Sequence, residues 1–228
     1  RWTDEKKQRI ARSRIVGTRT LVDAIGRMEK PPGVLVAASA IGWYGDRGDE
    51  ELPETAPRGE GFLADTCAEW EGEVDRLRPG VRAVKMRLGV VLAAGGGALA
   101  TMLPAFTLGL GGRLGSGRQW FPWIALDDVV GAMHLAMYRP SMEGPVNLVA
   151  PGQVRNAEFT RAMGRVLRRP TIFPVPRPAL RLALGAEQAD EMLLSSVRVV
   201  PGALQREGYG FRFPGIDAAL GHALGRTT

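Results

Sequence analysis

The chain has 228 residues, 45% hydrophobic and 24% charged, a balance that fits a folded globular protein of one domain or one and a half. No apolar run approaches the roughly 20 residues needed to cross a bilayer, and the polar opening RWTDEKK predicts no signal peptide. One cysteine allows no internal disulfide, which suits a reducing cytoplasm, and with two distant histidines, His134 and His222, it makes no zinc site.

In chain order, residues 4–28 place Ile10, Ile15, Leu21, Val22 and Ile25 at helical spacing, ending before Pro31 and Pro32. GVLVAASAI (33–41) is short, apolar and β-branched, the pattern of a buried strand. Residues 45–60 form an acidic loop punctuated by Gly and Pro. GFLADTCAEWE (61–71) opens a helix whose Leu63, Cys67, Trp70, Val74 and Leu77 make one apolar stripe, so Cys67 reads as a small buried hydrophobe rather than a nucleophile. VRAVKMRLGVVL (81–92) is a second strand, and a glycine-rich turn leads into a helix over 98–110. This strand, helix, strand order predicts a parallel α/β sheet.

Beyond Gly109 the sequence predicts a glycine-rich loop, a short aromatic strand and a helix capped by Asp127 or Asp128. GPVNLVA (144–150) is another strand. In the helix after it, Arg161, Arg165, Arg168 and Arg169 oppose Phe159, Met163, Val166 and Leu167. Such a stripe is the solvated side of an amphipathic helix. It therefore weakens the nucleic-acid reading that a net charge of +6 invites. PTIFPVPRP (170–178) is extended and too proline-rich for a central strand, and two or three helices follow.

A dinucleotide fingerprint needs a strand before its glycines and a helix immediately after, so that the pyrophosphate meets a helix N-terminus. The GxxGxxG spacing occurs at Gly42, Gly45 and Gly48, followed by DEELPE, and at Gly109, Gly112 and Gly115, followed by SGRQWF. Neither context is right.

Several segments together resemble the extended short-chain dehydrogenase/reductases, the NAD-dependent epimerase/dehydratase family. GVLVAASAIGWYGDRGDEELPE resembles the strand and loop that hold the family's active-site serine, RIVGTRTLVDAI the helix beginning NVxGTxxLLEA, VKMRLGVVLAAGGG the run LRxxxVxGP, and GSGRQWFPWIALDDVVGAMHLAM the run GDGxQxRDFIHVDDVA. SAIGWYGDRG, MLPAFTLGLGG and the tail LLSSVRVVPGALQREGYGFRFP are similar to an atypical subgroup labelled epimerase-family proteins or nucleoside-diphosphate-sugar epimerases, some of them cell-division inhibitors. The resemblance implies an α/β fold, the C-terminal part of a Rossmann-like doubly wound parallel sheet with a smaller mixed α/β substrate lobe. Residues 1–105 would belong to an NAD(P)-binding domain and 106–228 to the lobe. Residues near 123–150 would rejoin the first domain, and 175–225 would form the helical C-terminal domain. The family begins with a strand, a glycine-rich turn and further βα units, so the chain is expected to be a fragment without the first half of the cofactor site.

Ordinary members use Ser or Thr with Tyr-x-x-x-Lys, the tyrosine exchanging a proton with substrate. Laid on this chain, that pattern puts Leu63 at the tyrosine, Cys67 at the lysine and Glu71 at a trailing acid. Ser39 is then the best surviving catalytic-type residue, unless Ala40 holds the catalytic place, and Tyr44 is a substitute acid. Ala38, Ser39, Gly89, Val90 and Val91 would meet the cofactor, NADP or NAD. Arg14 stands for the asparagine of NVxGT, Phe121 and Pro122 for the Arg-Asp of QxRDF, and Ala125 for the histidine of IHVDD. Arg113, Arg118, Gln119 and Trp120, with Arg14, would bind substrate, because arginine pairs bidentately with phosphate or carboxylate. Three functions stay open: an NAD(P)-dependent oxidoreductase or epimerase acting on a nucleotide sugar or small carbonyl, a non-catalytic NAD(P)-binding regulator, and a basic nucleic-acid binder. The expected partner is a small molecule, with no nucleic acid and no membrane, and a homodimer is left open.

Overall fold

The computed structural model describes residues 1–226. Helix α1 (Asp4–Arg27) begins at Thr3, whose hydroxyl accepts from the Lys6 amide at 3.2 Å, and Asp4 and Glu5 complement the dipole of its first turn. Strand β1 (Val34–Ala40) runs into a 3₁₀ turn at Ile41–Tyr44 and then the two-residue β2 (Glu51–Leu52). Helix α2 (Phe62–Val74) leads to β3 (Arg82–Leu88), β4 (Val90–Leu92) and α3 (Gly97–Thr107). Next come β5 (Trp120–Phe121), β6 (Trp123–Ala125), α4 (Leu126–Tyr138), β7 (Gly144–Leu148), β8 (Val154–Arg155) and α5 (Asn156–Leu167). The chain continues through α6 (Arg177–Leu184), α7 (Ala186–Ala189), a π-helical turn at Asp190–Leu194, β9 (Arg198–Val199), α8 (Gly202–Arg206) and α9 (Ile216–Ala223).

The order β1-β3-β7 makes a parallel sheet, with Ser39 in register with Arg87 and Arg87 with Asn147. Strand alternation puts Val84, Met86, Val146 and Leu148 on the face covered by α4, where they pack with Val129 and Ala132. The opposite face carries Ser39, Arg87 and Asn147 and lies under α2. Phe159, Met163, Ile216 and Leu220 join Leu92, Phe106 and Trp123 in a second core under α5 and α9. Tyr44, Leu52, Val197 and Val199 form a third.

Some local expectations change. The run 81–92 is broken at Gly89, whose amide donates to Leu148 O at 3.0 Å, while Val90 N donates to Pro122 O at 2.8 Å. Beyond the break, β4 pairs with β6 instead of continuing beside β7. Asp127 and Asp128 lie in the first turn of α4, whose N-cap is Ala125. The Asp128 carboxylate accepts from the amides of Arg212 at 2.7 Å and Phe213 at 3.0 Å, so it ties down the C-terminal segment. On α5, Arg161 and Arg165 face outward over buried Phe159, Met163, Val166 and Leu167. The helix ends at Leu167, so Arg168, its left-handed cap at φ 53°, and Arg169 are exposed beyond the helix and not on its stripe. Among the described residues no helix is long and apolar enough to cross a membrane.

Candidate functional site

The register of three parallel strands sets Ser39, Arg87 and Asn147 in one polar row across a buried sheet face. Three polar residues there need partners, because an unpaired buried charge is costly. Glu71 of α2 answers Arg87 with a two-pronged pair, Nε to Oε1 at 2.8 Å and Nη2 to Oε2 at 2.9 Å. Ser39 Oγ donates to the same Oε1 at 2.7 Å. Tyr44 OH accepts from Arg87 Nη1 at 3.0 Å and donates to Asn147 Oδ1 at 2.6 Å. The Trp43 ring lies 4.0 Å from the guanidinium. Asn147 Nδ2 donates to Leu52 O at 3.2 Å and Val200 O at 2.9 Å, and its amide donates to Glu54 Oε1 at 3.1 Å.

The network is closed. Ser39 is 2% exposed and Tyr44 0%. Burial pushes the Tyr44 phenol above its ordinary pKa, against the opposing pull of Arg87. Burial also works against the Arg87 charge, but Glu71 and Tyr44 hold its pKa above the usual arginine value. The two residues expected to act as catalytic hydroxyls are thus brought into one cluster, each with its proton directed at a buried acceptor.

Positions 63 and 67 stand against the end of β1. Cys67 Sγ lies 3.6 Å from Ala40 O, and a Cβ on Gly42 would come within 3.1 Å of Leu63 Cβ and 3.6 Å of Cys67 Sγ. The 3₁₀ turn is packed directly on the helix face that carries Leu63 and Cys67. Burial, with Glu71 nearby, pushes the Cys67 thiol up to about 11, which removes it as a nucleophile at neutral pH. At the start of the same helix, the Glu191 carboxylate accepts from the amides of Phe62 at 3.1 Å and Leu63 at 2.9 Å.

A cleft of about 300 Å³ opens beside the loop that follows the turn. Arg118, Gln119, Arg155 and Arg177 line it with a single carboxylate, Asp49. Of the predicted substrate residues, Arg118 and Gln119 face this cleft. Trp120 lies behind it, its Nε1 donating to Asp49 Oδ1 at 2.8 Å and its ring lying 4.5 Å from the Arg155 guanidinium and 5.0 Å from that of Arg198. Arg113 braces the loop by donating to Ser116 O at 2.8 Å. Arg14 is outside the cleft, on α1 over the Trp70 ring at 5.5 Å. Sequence reasoning missed Arg155 and Arg177, which stand far along the chain from the loop they join. It also missed Arg87, although a charge inside a buried apolar strand is a signal.

The expected cofactor positions divide. Ala38 is exposed on the outer strand, and Gly89, Val90 and Val91 are partly exposed at the end of β3 and in β4, whereas Ser39 is sealed. Small apolar strand ends fit a flat ring such as nicotinamide. Neither glycine run fits a pyrophosphate: Gly48 is followed by β2, and Gly112 packs so closely that an added Cβ would sit 1.6 Å from Phe173 O. The residues present therefore suit only the nicotinamide end of a dinucleotide.

Comparison with known proteins bears on the family and the fold. Residues 1–149 match the NAD dependent epimerase/dehydratase family, and residues 175–223 match a domain of unknown function, DUF1731. Epimerase family protein Mb2239 of Mycobacterium bovis is 44% identical over 227 residues, which cover 99% of this chain and 74% of that one. The human epimerase family protein SDR39U1, solved with NADPH, superposes with a TM-score of 0.95 at 34% identity over 100% of this chain and 77% of that one. A nucleoside-diphosphate sugar epimerase from Corynebacterium glutamicum superposes with a TM-score of 0.80 at 33% identity, over 99% of this chain and 44% of that one. The chain belongs to the NAD dependent epimerase/dehydratase family.

Proposed function

We propose that this chain is part of an NADP(H)-binding protein that holds the reduced nicotinamide without carrying the family's acid–base machinery. The observation that carries the reading is the closed network, in which Ser39 donates to Glu71 and Tyr44 to Asn147; the family resemblance adds that Leu63 and Cys67 would stand in the places of tyrosine and lysine. A proton donor for a carbonyl must reach the substrate within hydrogen-bonding distance and release its proton there. Hydroxyls sealed against Glu71 and Asn147 do neither. NADPH as cofactor is supported by the human relative solved with it. Ala38, Gly89, Val90 and Val91 would border the nicotinamide ring and exclude water from one side of it. The group itself supplies a hydride when bound.

A second reading, turnover of a nucleotide sugar, is favoured by the name of the Corynebacterium glutamicum neighbour. Ser39→Ala separates the two. Under the binding reading it costs about 1–3 kcal/mol, because the buried Glu71 loses a hydrogen bond, and the affinity for NADPH is unchanged. Thermal unfolding with and without NADPH, beside the absorbance of NADPH mixed with small carbonyls and UDP-glucose, reads both quantities. A midpoint raised by NADPH with no cofactor consumption supports binding without turnover. Steady oxidation that Ser39→Ala abolishes at an unchanged midpoint would overturn it, as would the absence of any shift with NADPH.

A further inference from the structure

We propose that the cleft formed by Arg118, Arg155 and Arg177 is a receptor for a compact phosphate monoester and not for a nucleotide sugar. The proposal rests on charge, size and the state of one aromatic ring, and it is independent of the cofactor reading.

Three guanidinium groups face one carboxylate, and that carboxylate is already engaged: Asp49 Oδ1 accepts from Trp120 Nε1 at 2.8 Å and Arg155 Nη2 at 3.0 Å. The Trp120 and Arg155 contacts hold the Asp49 carboxyl below its usual range, so it stays ionised and leaves the cleft an excess of positive charge. Arg155 is fixed, since its other Nη donates to Arg118 O and its guanidinium stacks on Trp120. It therefore contributes placed charge rather than free donors.

The free donors are the other two. The Arg118 side chain makes no ion pair or hydrogen bond among the described residues, and Arg177 has only a long 3.7 Å contact with Asp190, which is itself gripped by Arg181 at 2.8 Å. Ser116 Oγ accepts from the Arg118 amide at 3.2 Å, which leaves its proton to give. One uncommitted planar fork, Arg118, a second held only by its long contact to Asp190, and a hydroxyl around a placed third charge match the several acceptor oxygens of a phosphate dianion.

Size and stacking decide against a nucleotide. At about 300 Å³ the cleft is at the small end of ligand sites and seats a phosphorylated small alcohol or sugar, whereas a base, ribose, diphosphate and hexose together would overrun it into solvent. Nor is a free aromatic face offered to a nucleobase, because the indole of Trp120 already carries the guanidinium groups of Arg155 and Arg198.

The test is calorimetric titration of the chain at fixed ionic strength with glycerol phosphate, inorganic phosphate, glycerol and UDP-glucose. Glycerol phosphate is expected to bind more tightly than UDP-glucose, and glycerol not at all. Arg118→Ala and Arg177→Ala should each weaken glycerol phosphate by ~10-fold, because each removes a charge-assisted contact. Both side chains are exposed, so the unliganded unfolding midpoint should hold, and a changed affinity then reports the site. Tighter binding of UDP-glucose, or equal affinity in the two variants and the parent, would overturn the proposal.

Discussion

At the scale of single residues, Cys67 shows how position cancels reactivity. Its sulfur lies 3.6 Å from Ala40 O under the 3₁₀ turn, and its thiol is raised from 9.0 to about 11, first by burial and then by the Glu71 charge. A raised acid binds its proton more tightly folded than unfolded. Its contribution is therefore complete below pH 9.0 and disappears as the pH rises toward about 11, a loss of roughly 2–3 kcal/mol. Denaturation midpoints measured across that interval should fall in the parent and fall less in Cys67→Ala. At neutral pH a thiol reagent should label Cys67 only after unfolding; labelling of the native protein at the rate of a free thiol would refute the burial argument. The apolar stripe through Leu63 and Cys67 was legible from spacing alone, because a helical stripe needs no partner to be seen; that a Tyr/Lys pair is replaced there is implied only by the family resemblance. The bonding of Ser39 and Tyr44 was not legible. Their acceptors, Glu71 and Asn147, are 32 and 103 residues away and meet them only once the strands are in register.

Helices and strands were read well where periodicity is long and poorly where the sheet changes partner. The α1 stripe and the apolar β1 run announced themselves, whereas the break at Gly89 depends on Pro122 O arriving from another strand. Between elements, the join of α1 to α2 is electrostatic at its outer edge. Glu73 accepts from Arg19 Nη2 at 2.6 Å and from Arg76 Nη1 at 2.5 Å, and Arg76 also reaches Asp23 at 3.2 Å. Those contacts, Arg19 first, lower the Glu73 carboxyl from 4.5 to about 2. A depressed carboxyl stabilises the fold above its unfolded pKa. The contribution is thus present above pH 4.5 and is lost as the pH falls toward about 2. Both arginine side chains are half exposed, so solvent screening keeps the effect modest. Glu73→Gln should flatten the acid limb of a stability-versus-pH curve in that interval and leave the alkaline limb unchanged. An identical acid limb in parent and variant would show that α1 is held by its apolar stripe alone.

For the whole molecule the question is whether the C-terminal segment is an appendage or a structural part of the sheet domain. Its matched boundary at residue 175 suggests a module, but its contacts do not respect that line. Strand β9 pairs in parallel with β2, Val200 O accepts from Asn147, and Ala203 N donates to Glu54 Oε1 at 2.9 Å. Leu204 is buried with Val146 and Leu148 under the main sheet, and Ile216 and Leu220 complete the core around Trp123 and Phe159. Asp128, at the head of α4, holds two amides of this segment. Removing residues 175–228 would strip cover from two cores at once, take Val200 O from Asn147 and the Ala203 amide from Glu54, and leave Asp128 without the amides of Arg212 and Phe213, each lost bond costing about 1–3 kcal/mol. That sum rivals the whole stability of a domain. A chain ending at residue 174 is therefore expected to lose its near-ultraviolet circular dichroism and its cooperative transition. Asp128→Ala keeps the full chain and should lower the midpoint by an amount equivalent to about 2–4 kcal/mol, with secondary and tertiary probes still melting together. Two separate transitions in that variant, or a truncated chain that melts sharply at the parent temperature, would make the segment an independent module and the shared core incidental.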